Sequence, residues 1–464
     1  AFEKARALAP DHPYILGGLA GAVLGGCDLD RWPGFQARVT AAVRDGSAVI
    51  VPLDFLPFCE DGALRRRCSE AFIADRVPHP SGPLWTGGQY GHDRIRVAYL
   101  SADFRQHATT ELIAGLIEAH DRTQFEIGAV SFGRDDGSAM RARLVTAFDW
   151  FEDVRQKSDA DVAKWLRDRE IDIAIDLKGH TQESRPGILA HRPCPVQVNY
   201  LGYPGTLGAP WLDYILADAR VLPFDQQDFY SEKIVHLPHC YQVNDSTRAI
   251  AETPTRAEAG LPSQGFVFCC FNAAWKITPV LFDAWMRLLA GVPGSVSWLL
   301  DDNATAKRHL AAAATARGVD PSRLIFAPRL PPAAHLARHR LADLFLDTIP
   351  YNAHTTASDA LWAGLPVLSL LGTQFDGRVA ASLLETMGLP ELVTHSVEDY
   401  EALALALAHN PQQLQSLRTR LEANRRTSPL YDTDRFRRAL ETAYRRIIET
   451  SRAGHAPESF TVPG

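Results

Sequence analysis

The chain has 464 residues, which is more than one hydrophobic core usually serves, so its length predicts more than one domain. A hydrophobic content of 46% and a charged content of 22% are typical of globular enzymes, and a net charge of −7 argues against a nucleic-acid partner. No run of about 18 apolar residues occurs, so we expect neither a membrane-spanning helix nor a membrane partner.

The cysteines are scattered along the chain and form no CxxC pair. They are Cys27, Cys59, Cys68, Cys194, Cys240, Cys269 and Cys270. An odd set of separated thiols is typical of a reducing compartment, so we expect a cytoplasmic protein without a structural zinc ion. No secretory signal pattern opens the chain. It begins at Ala1 rather than at a Met, which leaves room for residues before it.

Residues 1–90 are predicted to be an all-α region similar to tetratricopeptide repeats. Residues 1–13 have the spacing of the second helix of such a repeat and its terminal proline. An ordinary amphipathic helix explains this spacing equally well, because only one copy is visible. One repeat cannot bury its own face, so we expect further repeats upstream or packing on the next domain. The prolines and glycines of residues 78–88 predict a linker.

From residue 91 the pattern changes to alternating strands and helices, and residues 91–255 are predicted to form one Rossmann-like domain. The predicted strands are 95–101, 125–131, 171–177, 196–201 and 214–217, with helices over 110–117 and 159–169. Alternation of this kind is typical of a parallel, doubly wound sheet.

The alternation restarts near residue 265, so residues 256–464 are predicted to form a second Rossmann-like domain with C-terminal helices. The predicted strands are 266–271, 296–300, 324–327, 344–347 and 367–370, with a helix over 279–289. Ligands of such α/β folds bind beyond the carboxyl ends of the strands. A cleft between two such domains is therefore the expected binding site.

The segment Asn352–Asp359 lies where one predicted strand has ended and a helix begins. A helix N-terminus has unpaired N–H groups and a partial positive charge, so it suits a phosphate. His354, Thr355 and Thr356 add donors there, and Asp359 is suited to a ribose hydroxyl. Simple N-capping by Thr or Ser explains the segment as well, and taken alone the segment favours that explanation.

Other polar segments also follow predicted strands. Ser101–Thr110 follows the first strand, and the glycine-rich Gly202–Gly208 follows a later one. Lys276 follows the first strand of the second domain and precedes the helix start at Pro279, where a cation can reach a diphosphate. Each has a simpler explanation as a helix-start residue, a turn or a solvated lysine. Their joint placement at strand ends favours a ligand site.

Several common motifs are missing from the sequence. There is no GxxxxGK[ST] loop, and no GxGxxG opens either predicted sheet, so P-loop and dinucleotide interpretations are weak. There is also no HExxH motif or acidic cluster, so we expect no metal site.

Five segments, in the same order, resemble the O-linked N-acetylglucosamine transferases of glycosyltransferase family 41 in a bacterial form. They are Ser101–His107, Leu201–Thr206, Tyr230–Lys233, Phe271–Ile277 and His354–Gly364. The resemblance covers roughly residues 94–450, with tetratricopeptide-like helices in front, as in the family. It implies two Rossmann-like domains in the GT-B glycosyltransferase fold. It also implies an inverting, metal-independent and cofactor-free transfer of N-acetylglucosamine from UDP-N-acetylglucosamine to Ser or Thr hydroxyls of proteins.

The resemblance further implies roles for individual residues. His107 matches the histidine that lies beside the sugar and was once proposed as the base. Asp103 matches another proposed proton acceptor, and Lys276 matches the lysine that contacts the diphosphate. The residues implied to bind the donor are Thr109, Leu201 and Gly202 at the sugar, His335 and Arg338 near the uridine, His354, Thr355 and Thr356 at the phosphates, and Asp359 at the ribose. Trp275 is a further candidate substrate-binding residue. The N-terminal helices are implied to bind protein acceptors.

The chain departs from the animal members of this family at several positions. Ala108, Ala273 and Pro332 stand where those members have Pro, Gln and Lys, respectively. Leu56–Asp61 also lacks the upstream histidine suggested as the base, so the sequence leaves the identity of the base open.

Two other functions fit parts of the sequence. One is an enzyme similar to UDP-N-acetylglucosamine 2-epimerases, although a small-molecule enzyme has no need of fused repeats. The other is a non-catalytic repeat scaffold with a degraded nucleotide-sugar site, which the changes at Ala273 and Pro332 allow and the retained Lys276, His354 and Thr355 disfavour.

Overall fold

The computed structural model describes residues 2–9, 12–78 and 80–464. The α-helices of these residues are α1 (Phe2–Leu8), α2 (Ile15–Gly25), α3 (Trp32–Asp45), α4 (Pro52–Phe55), α5 (Gly62–Arg76), α6 (Ala108–Ala119), α7 (Ala139–Ala147), α8 (Asp159–Asp168), α9 (Gly187–Ala190), α10 (Pro279–Gly291), α11 (Ala304–Ala316), α12 (Pro332–Arg338), α13 (Thr355–Ala363), α14 (Val379–Thr386), α15 (Val397–His409), α16 (Pro411–Asn424) and α17 (Thr433–Arg452).

The β-strands of the same residues follow the predicted alternation. They are β1 (Ile95–Ser101), β2 (Phe125–Ser131), β3 (Trp150–Asp153), β4 (Ile173–Asp176), β5 (Val196–Asn199), β6 (Tyr214–Ala217), β7 (Lys233–His236), β8 (Val267–Cys270), β9 (Val296–Leu300), β10 (Leu324–Ala327), β11 (Leu344–Leu346), β12 (Val367–Leu370), β13 (Val393–Thr394) and β14 (Phe460–Thr461).

The N-terminal region is helical, as predicted. Helix α3 ends at Gly46, which has a left-handed φ of 76° that a glycine adopts without strain. Helix α5 begins at the side chain of Asp61, which accepts hydrogen bonds from the N–H groups of Ala63 and Leu64. Residues 1, 10 and 11 of the predicted repeat segment and His79 of the predicted linker lie outside the described residues. Residues 77–78 and 80–94 contain no helix or strand, which agrees with a linker.

The first sheet has eight parallel strands in the order β14-β7-β6-β5-β4-β1-β2-β3. Its central strands are apolar and buried because helices cover both faces of such a sheet. The five predicted strands of this domain are confirmed. The sequence missed the edge strands β3 and β14, and also β7, which lies beside β14. These strands are short or partly polar.

The second sheet has six parallel strands in the order β10-β9-β8-β11-β12-β13. The predicted strands at 296–300, 324–327 and 367–370 are confirmed to the residue. Because all strands are parallel, the loops after β8 and β11 emerge at the same edge, and these strands are neighbours. That edge brings Lys276 and His354 into one site.

The chain folds into two compact units, one around each sheet. The second-sheet unit comprises Ala1–Ile50, Asp54–Glu60 and Arg248–Ser428, and the first-sheet unit comprises Val51–Leu53, Asp61–Thr247 and Pro429–Gly464. The predicted division into residues 1–90, 91–255 and 256–464 stays a prediction. The units depend on packing between residues far apart in sequence, which local patterns do not report.

In each unit, an interaction between residues far apart in sequence explains why separate chain segments belong together. In the second-sheet unit, the Cys27 thiol donates to the Ala274 carbonyl at 3.0 Å, so the N-terminal helices pack beside the turn after β8. In the first-sheet unit, α17 packs on the sheet, and the hydroxyls of Tyr444 and Tyr99 lie 2.8 Å apart. Burial of these side chains assigns both chain ends to their units.

Candidate functional site

The loop between β11 and α13 is built around the buried carboxylate of Asp347. Its Oδ1 accepts hydrogen bonds from the N–H groups of Thr348 at 2.7 Å and Ala353 at 2.5 Å. Its Oδ2 accepts one from the hydroxyl of Ser369 at 2.5 Å. The Thr348 hydroxyl in turn donates to the carbonyl of Tyr351 at 2.7 Å. The carboxylate thus fixes the course of this loop and the point at which α13 begins.

Helix α13 begins at His354, whose side chain does not cap it. Nε2 of His354 instead donates to the Asp376 carbonyl at 3.0 Å, and the ring stacks on Tyr351 with centroids 4.8 Å apart. The simpler explanation, capping by a Thr or Ser side chain, is therefore wrong. The N–H groups of a first helical turn have no intrahelical partners and carry a partial positive charge. This turn is suited to an anion.

Lys276 lies beside this helix start. It lies between β8 and α10, as the sequence predicted, and is the last residue of a 3-10 turn, Ala274–Lys276. Its Nζ donates to the Asn352 carbonyl at 2.7 Å and lies 4.1 Å from the centre of the Tyr351 ring. A half-buried ammonium group therefore stands next to the N-terminus of α13.

The charges around this loop also favour an anionic ligand. Burial lowers the pKa of Lys276 below its ordinary value, and the negative charge of Asp347 is the main opposing influence. Burial, followed by repulsion from Lys276, lowers the pKa of His354 well below its usual range, so its ring is neutral. The loop presents one cation, one neutral imidazole and a helix N-terminus.

The two threonines that open α13 have different surroundings. The Thr356 hydroxyl donates to Oδ1 of the buried Asn272, and Nδ2 of Asn272 donates to Thr348 Oγ1 at 2.8 Å. This chain of bonds joins the end of β8 to the end of β11. Thr355 is half-buried in the same turn. Thr356 therefore holds the turn in place, whereas Thr355 is the threonine suited to contact a ligand.

Asp359 lies one turn into α13 and is paired with a cation. Its Oδ1 accepts a hydrogen bond from Arg248 Nη1 at 2.6 Å, and both side chains are only 8% exposed. Its Oδ2 lies 3.9 Å from His335 Nε2, which is too far for a hydrogen bond. Arg248 thus fixes the position of this carboxylate beside the His335 ring.

His335 and Arg338 form a second pair on α12. Arg338 Nη2 donates to His335 Nδ1 at 2.5 Å, and Nη1 donates to the Pro328 carbonyl at 2.5 Å. Burial, followed by His339 and nearby cations, lowers the pKa of His335 to about 2, so the ring is neutral. Arg338 is 2% exposed, so it acts on a ligand only through the His335 ring that it positions.

Trp275 is half-buried, and its ring packs edge-on against Tyr351 with centroids 5.0 Å apart.

On the first-sheet unit, His107 is the N-cap of α6. Its Nδ1 accepts a hydrogen bond from the Thr109 N–H at 3.2 Å, and the Thr110 hydroxyl accepts one from the His107 N–H at 3.3 Å. This is the reciprocal arrangement of a capping box. Asp103 does not cap α6, because His107 is the N-cap residue.

Asp103 is instead paired with Lys178, which lies at the end of the neighbouring strand β4. Lys178 Nζ lies 2.5 Å from Asp103 Oδ2, and both side chains are 4% exposed. Arg105 Nη2 approaches the other oxygen at 3.5 Å. The same Oδ2 of Asp103 lies 3.6 Å from His107 Nδ1. A carboxylate, two cations and an imidazole therefore meet at the carboxyl edge of the first sheet.

The glycine-rich loop after β5 is held by the buried carboxylate of Glu232. Its Oε2 accepts hydrogen bonds from the hydroxyls of Thr206 at 2.6 Å and Ser231 at 3.0 Å, and Oε1 accepts one from the Leu207 N–H at 2.8 Å. The carboxylate therefore fixes the course of this loop, as Asp347 does in the second-sheet unit.

The start of the same loop is tightly packed. Leu201 has a left-handed φ of 70°, which is strained for a leucine. A Cβ at Gly202 would lie 1.9 Å from the Leu177 carbonyl, so only glycine fits there. Thr109, the third residue implied to contact the sugar, is nearly buried at the start of α6.

The described part of the chain contains neither a metal-binding cluster nor a membrane helix. Residues 2–9, 12–78 and 80–464 contain no group of three or more His, Cys, Asp or Glu side chains placed to hold a metal ion. In the same residues, no helix has both the length and the apolar character needed to cross a membrane.

Comparison with known proteins places the chain in a family. The profile of glycosyl transferase family 41 matches residues 85–253 and 246–440. The chain belongs to this family. The matched segments contain the residues described above, from His107 and Asp103 in the first to Lys276 and His354 in the second.

Curated relatives of this family 41 protein carry related names. A probable UDP-N-acetylglucosamine–peptide N-acetylglucosaminyltransferase, SEC, of Arabidopsis thaliana is 37% identical over 392 residues, which are 83% of this chain and 40% of the relative. A UDP-N-acetylglucosamine–peptide N-acetylglucosaminyltransferase of Caenorhabditis elegans is 26% identical over 75% of this chain and 40% of the relative. The chain thus spans about two fifths of the length of these relatives.

A solved structure of the family supports the fold. A mutant of the O-GlcNAc transferase of Thermobaculum terrenum superposes with a TM-score of 0.81 and 28% identity, covering 98% of this chain and 87% of that one. The predicted α/β fold with two Rossmann-like domains, the GT-B glycosyltransferase fold, is confirmed.

Sequence reasoning gave no individual role to several residues that hold the loops of the two units. They are Asp347, Asn352, Arg248, Lys178 and Glu232. Asp347 and Lys178 each follow a buried strand closely, and this placement was a usable signal. Glu232 lies in the segment Tyr230–Lys233 that carries the resemblance, but nothing in that segment indicated its partners. Arg248 carried no local signal, because its partner Asp359 lies far away in sequence.

Proposed function

We propose that this chain transfers N-acetylglucosamine from UDP-N-acetylglucosamine to Ser or Thr hydroxyls of proteins, with inversion at the anomeric carbon. The proposal rests on the Lys276 ammonium group, which lies beside the start of α13. The side chain of His354 at that helix start does not cap the helix. Such a site is complementary to a diphosphate. The names of the family 41 relatives support the choice of sugar and of peptide acceptors.

The donor nucleotide is proposed to bind the second-sheet unit. Lys276 and the turn of His354, Thr355 and Thr356 hold the diphosphate. Asp359, positioned by Arg248, contacts the ribose, and the neutral His335 ring stacks on uracil.

Two further features support this mode of binding. Trp275 stabilises the edge of the site through its packing against Tyr351. Binding is proposed to need no metal ion, because the Lys276 ammonium group and the helix N-terminus supply the positive charge.

The sugar and its transfer are proposed to involve the first-sheet unit. Thr109, Leu201 and Gly202 contact the sugar, and His107 and Asp103 belong to the reacting cluster. In the reaction, the acceptor oxygen bonds to the anomeric carbon while the bond from that carbon to the phosphate oxygen breaks. UDP leaves with the electron pair, and a base takes the hydroxyl proton. Preorganised charge at the leaving oxygen is typically worth roughly 3–4 kcal/mol per donor.

Of the N-terminal helices, α1 to α3 belong to the same compact unit as the diphosphate site, and the N-terminal helices are proposed to contribute to acceptor binding. We also propose a cytoplasmic location. All seven cysteines are buried thiols, which fits a reducing compartment.

The test is intact-mass analysis of acceptor peptides incubated with the purified chain and UDP-N-acetylglucosamine, with and without excess EDTA. Addition of one N-acetylhexosamine mass to Ser or Thr in EDTA is the expected result. Transfer that requires restored Mg²⁺ or Mn²⁺ contradicts metal independence alone. An unmodified peptide together with an epimerised nucleotide sugar supports the epimerase alternative.

A further inference from the structure

Asp103 and His107 have the composition of a carboxylate–imidazole pair, in which the carboxylate holds the Nδ1 proton and leaves Nε2 free as a base. The geometry here differs from such a pair. The distance from Asp103 Oδ2 to His107 Nδ1 is 3.6 Å, which is beyond hydrogen-bonding range. His107 Nδ1 is already used, because it accepts the Thr109 N–H at 3.2 Å.

Lys178 explains why Asp103 does not serve the imidazole. Its Nζ is 2.5 Å from the same Oδ2 atom, and both side chains are almost fully buried. The carboxylate is therefore neutralised by a cation that water does not screen. Arg105 holds the other oxygen at 3.5 Å and also contacts Glu183 at 3.0 Å. Both oxygens of Asp103 therefore face cations, and the carboxylate does not require a hydrogen bond from the His107 ring.

The electrostatics keep the ring uncharged. Burial lowers the pKa of His107, and Lys178 and Arg105 lower it further, against the opposing influence of Asp103 and Glu183. A neutral imidazole carries one proton, on one of its two nitrogens. Since Nδ1 acts as the acceptor of the helix cap, the proton resides on Nε2.

Nε2 is also the nitrogen available to a ligand. Within the described residues, no group forms a hydrogen bond with it, and the His107 side chain is 39% exposed. We propose that His107 acts through its Nε2–H as a hydrogen-bond donor to an oxygen of the bound substrate, and that it is not the general base. The proposed donor role rests on the transferase function above, whereas the position of the proton does not.

The proton position is measured first, in the free protein. Long-range ¹⁵N–¹H correlation spectra of protein with ¹⁵N-labelled histidine distinguish the two tautomers, and loss of a signal in His107→Gln assigns it. The chain contains internal references. His236 Nε2 donates to the Leu222 carbonyl at 2.7 Å, and His309 Nδ1 donates to the Gly26 carbonyl at 2.8 Å. We expect His107 to match His236, and a spectrum that matches His309 overturns the proposal.

The role is then measured with three variants in the full chain, using transfer to a peptide. Glutamine reaches the position of Nε2 with an amide N–H but cannot take up a proton. Asparagine keeps a favourable helix cap and is too short to reach the substrate. Alanine removes both functions. We expect His107→Ala and His107→Asn to lower kcat/KM by about 10- to 100-fold, a typical loss for one hydrogen-bond donor.

His107→Gln decides between donor and base. A donor role predicts that it recovers at least about tenfold over His107→Ala, because the amide N–H replaces Nε2–H. Activity as low as that of His107→Ala, in protein with a wild-type melting temperature, overturns the proposal. If the wild-type chain transfers no sugar at all, the proposed function fails, and the NMR assignment still decides the tautomer.

Discussion

At the scale of single residues, Lys276 is the side chain whose loss should harm the reaction most. Its ammonium group lies 2.7 Å from the Asn352 carbonyl at the start of α13, where the leaving diphosphate is proposed to gain charge. Lys276→Ala should therefore lower turnover by roughly 100-fold or more, the size typical of one preorganised donor. Lys276→Arg should recover only part of this, because a planar guanidinium does not fit the place of a compact ammonium.

Steady-state transfer to a peptide acceptor measures these effects. Lys307→Ala is a matched control, since Lys307 belongs to the same unit and its side chain is 49% exposed. We expect no change in this control. Near wild-type turnover of Lys276→Ala would show that Lys276 is a solvated lysine and would contradict the proposed electrostatic mechanism.

A second residue-scale prediction concerns pH. The pKa of His107 is lowered by burial and by Lys178, so the neutral ring should persist below the ordinary histidine pKa of about 6.5. An NMR pH titration of the His107 ring should thus have its midpoint below that pH. Lys178→Met removes a charge that lowers this pKa, so the pKa of His107 should rise and the midpoint should move to a higher pH.

NMR titrations of the His107 ring in wild type, Lys178→Met and Lys178→Arg test this sign. Arginine keeps the positive charge, so the midpoint in Lys178→Arg should stay closer to wild type. Lys178→Met should also lower the free energy of unfolding by about 3–5 kcal/mol, because it leaves Asp103 buried without its cation. An exposed lysine on α8, Lys164, provides the control substitution. A His107 midpoint that moves to lower pH in Lys178→Met contradicts the proposed charge arrangement.

At the scale of elements, the start of α13 depends on its connection to the end of β8. Thr356→Val removes the hydroxyl that donates to Asn272 and leaves a buried amide oxygen unpaired. Such a loss typically costs about 1–3 kcal/mol, so the turn should loosen and UDP affinity should fall. Calorimetric titration with UDP measures this. The control is Thr315→Val on α11, because the exposed Thr315 hydroxyl donates to a carbonyl of its own helix at 3.1 Å. Equal UDP affinity in both variants would contradict the role given to Thr356.

The loop after β5 offers a second test at this scale. Gly202→Ala would place a Cβ 1.9 Å from the Leu177 carbonyl, so the loop or β4 must move. We expect destabilisation of about 1–3 kcal/mol or more, with loss of transfer. Thermal unfolding of this variant and of Gly91→Ala, where no atom lies within 4 Å of the added Cβ, makes the comparison. Similar melting temperatures for the two variants would refute the packing argument.

At the scale of the whole molecule, helices α1 to α3 belong to the unit that carries the diphosphate site. The Cys27 thiol donates to the carbonyl of Ala274, in the same 3-10 turn as Lys276. Removal of residues 1–50 should therefore weaken UDP binding as well as transfer to proteins. UDP titration of the truncated chain, with circular dichroism to verify its folding, measures this. Leu8→Ala in the full chain, at a side chain that is 86% exposed, should change neither property. Unchanged UDP affinity in a folded truncation would restrict these helices to acceptor binding.

The sequence by itself determined the α/β class, most strands and the segments that bear the chemistry. Short apolar runs bounded by polar residues are local signals, so strands such as Val296–Leu300 were predicted to the residue. Lys276 and His354 were also predictable as neighbours, since parallel strands deliver their carboxyl ends to one edge. The resemblance in five ordered segments led to the family that comparison confirmed.

Only the tertiary structure decided which partners these side chains have. Lys178 neutralises Asp103 across two adjacent strands, Arg248 pairs with Asp359, and α17 packs on the first sheet. Such pairings join residues that are far apart in sequence, so no local periodicity encodes them. They depend on burial, which strengthens charge interactions and leaves each polar group in need of a partner. For this reason the sequence predicted where His107 lies, and the fold decided which of its nitrogens carries the proton.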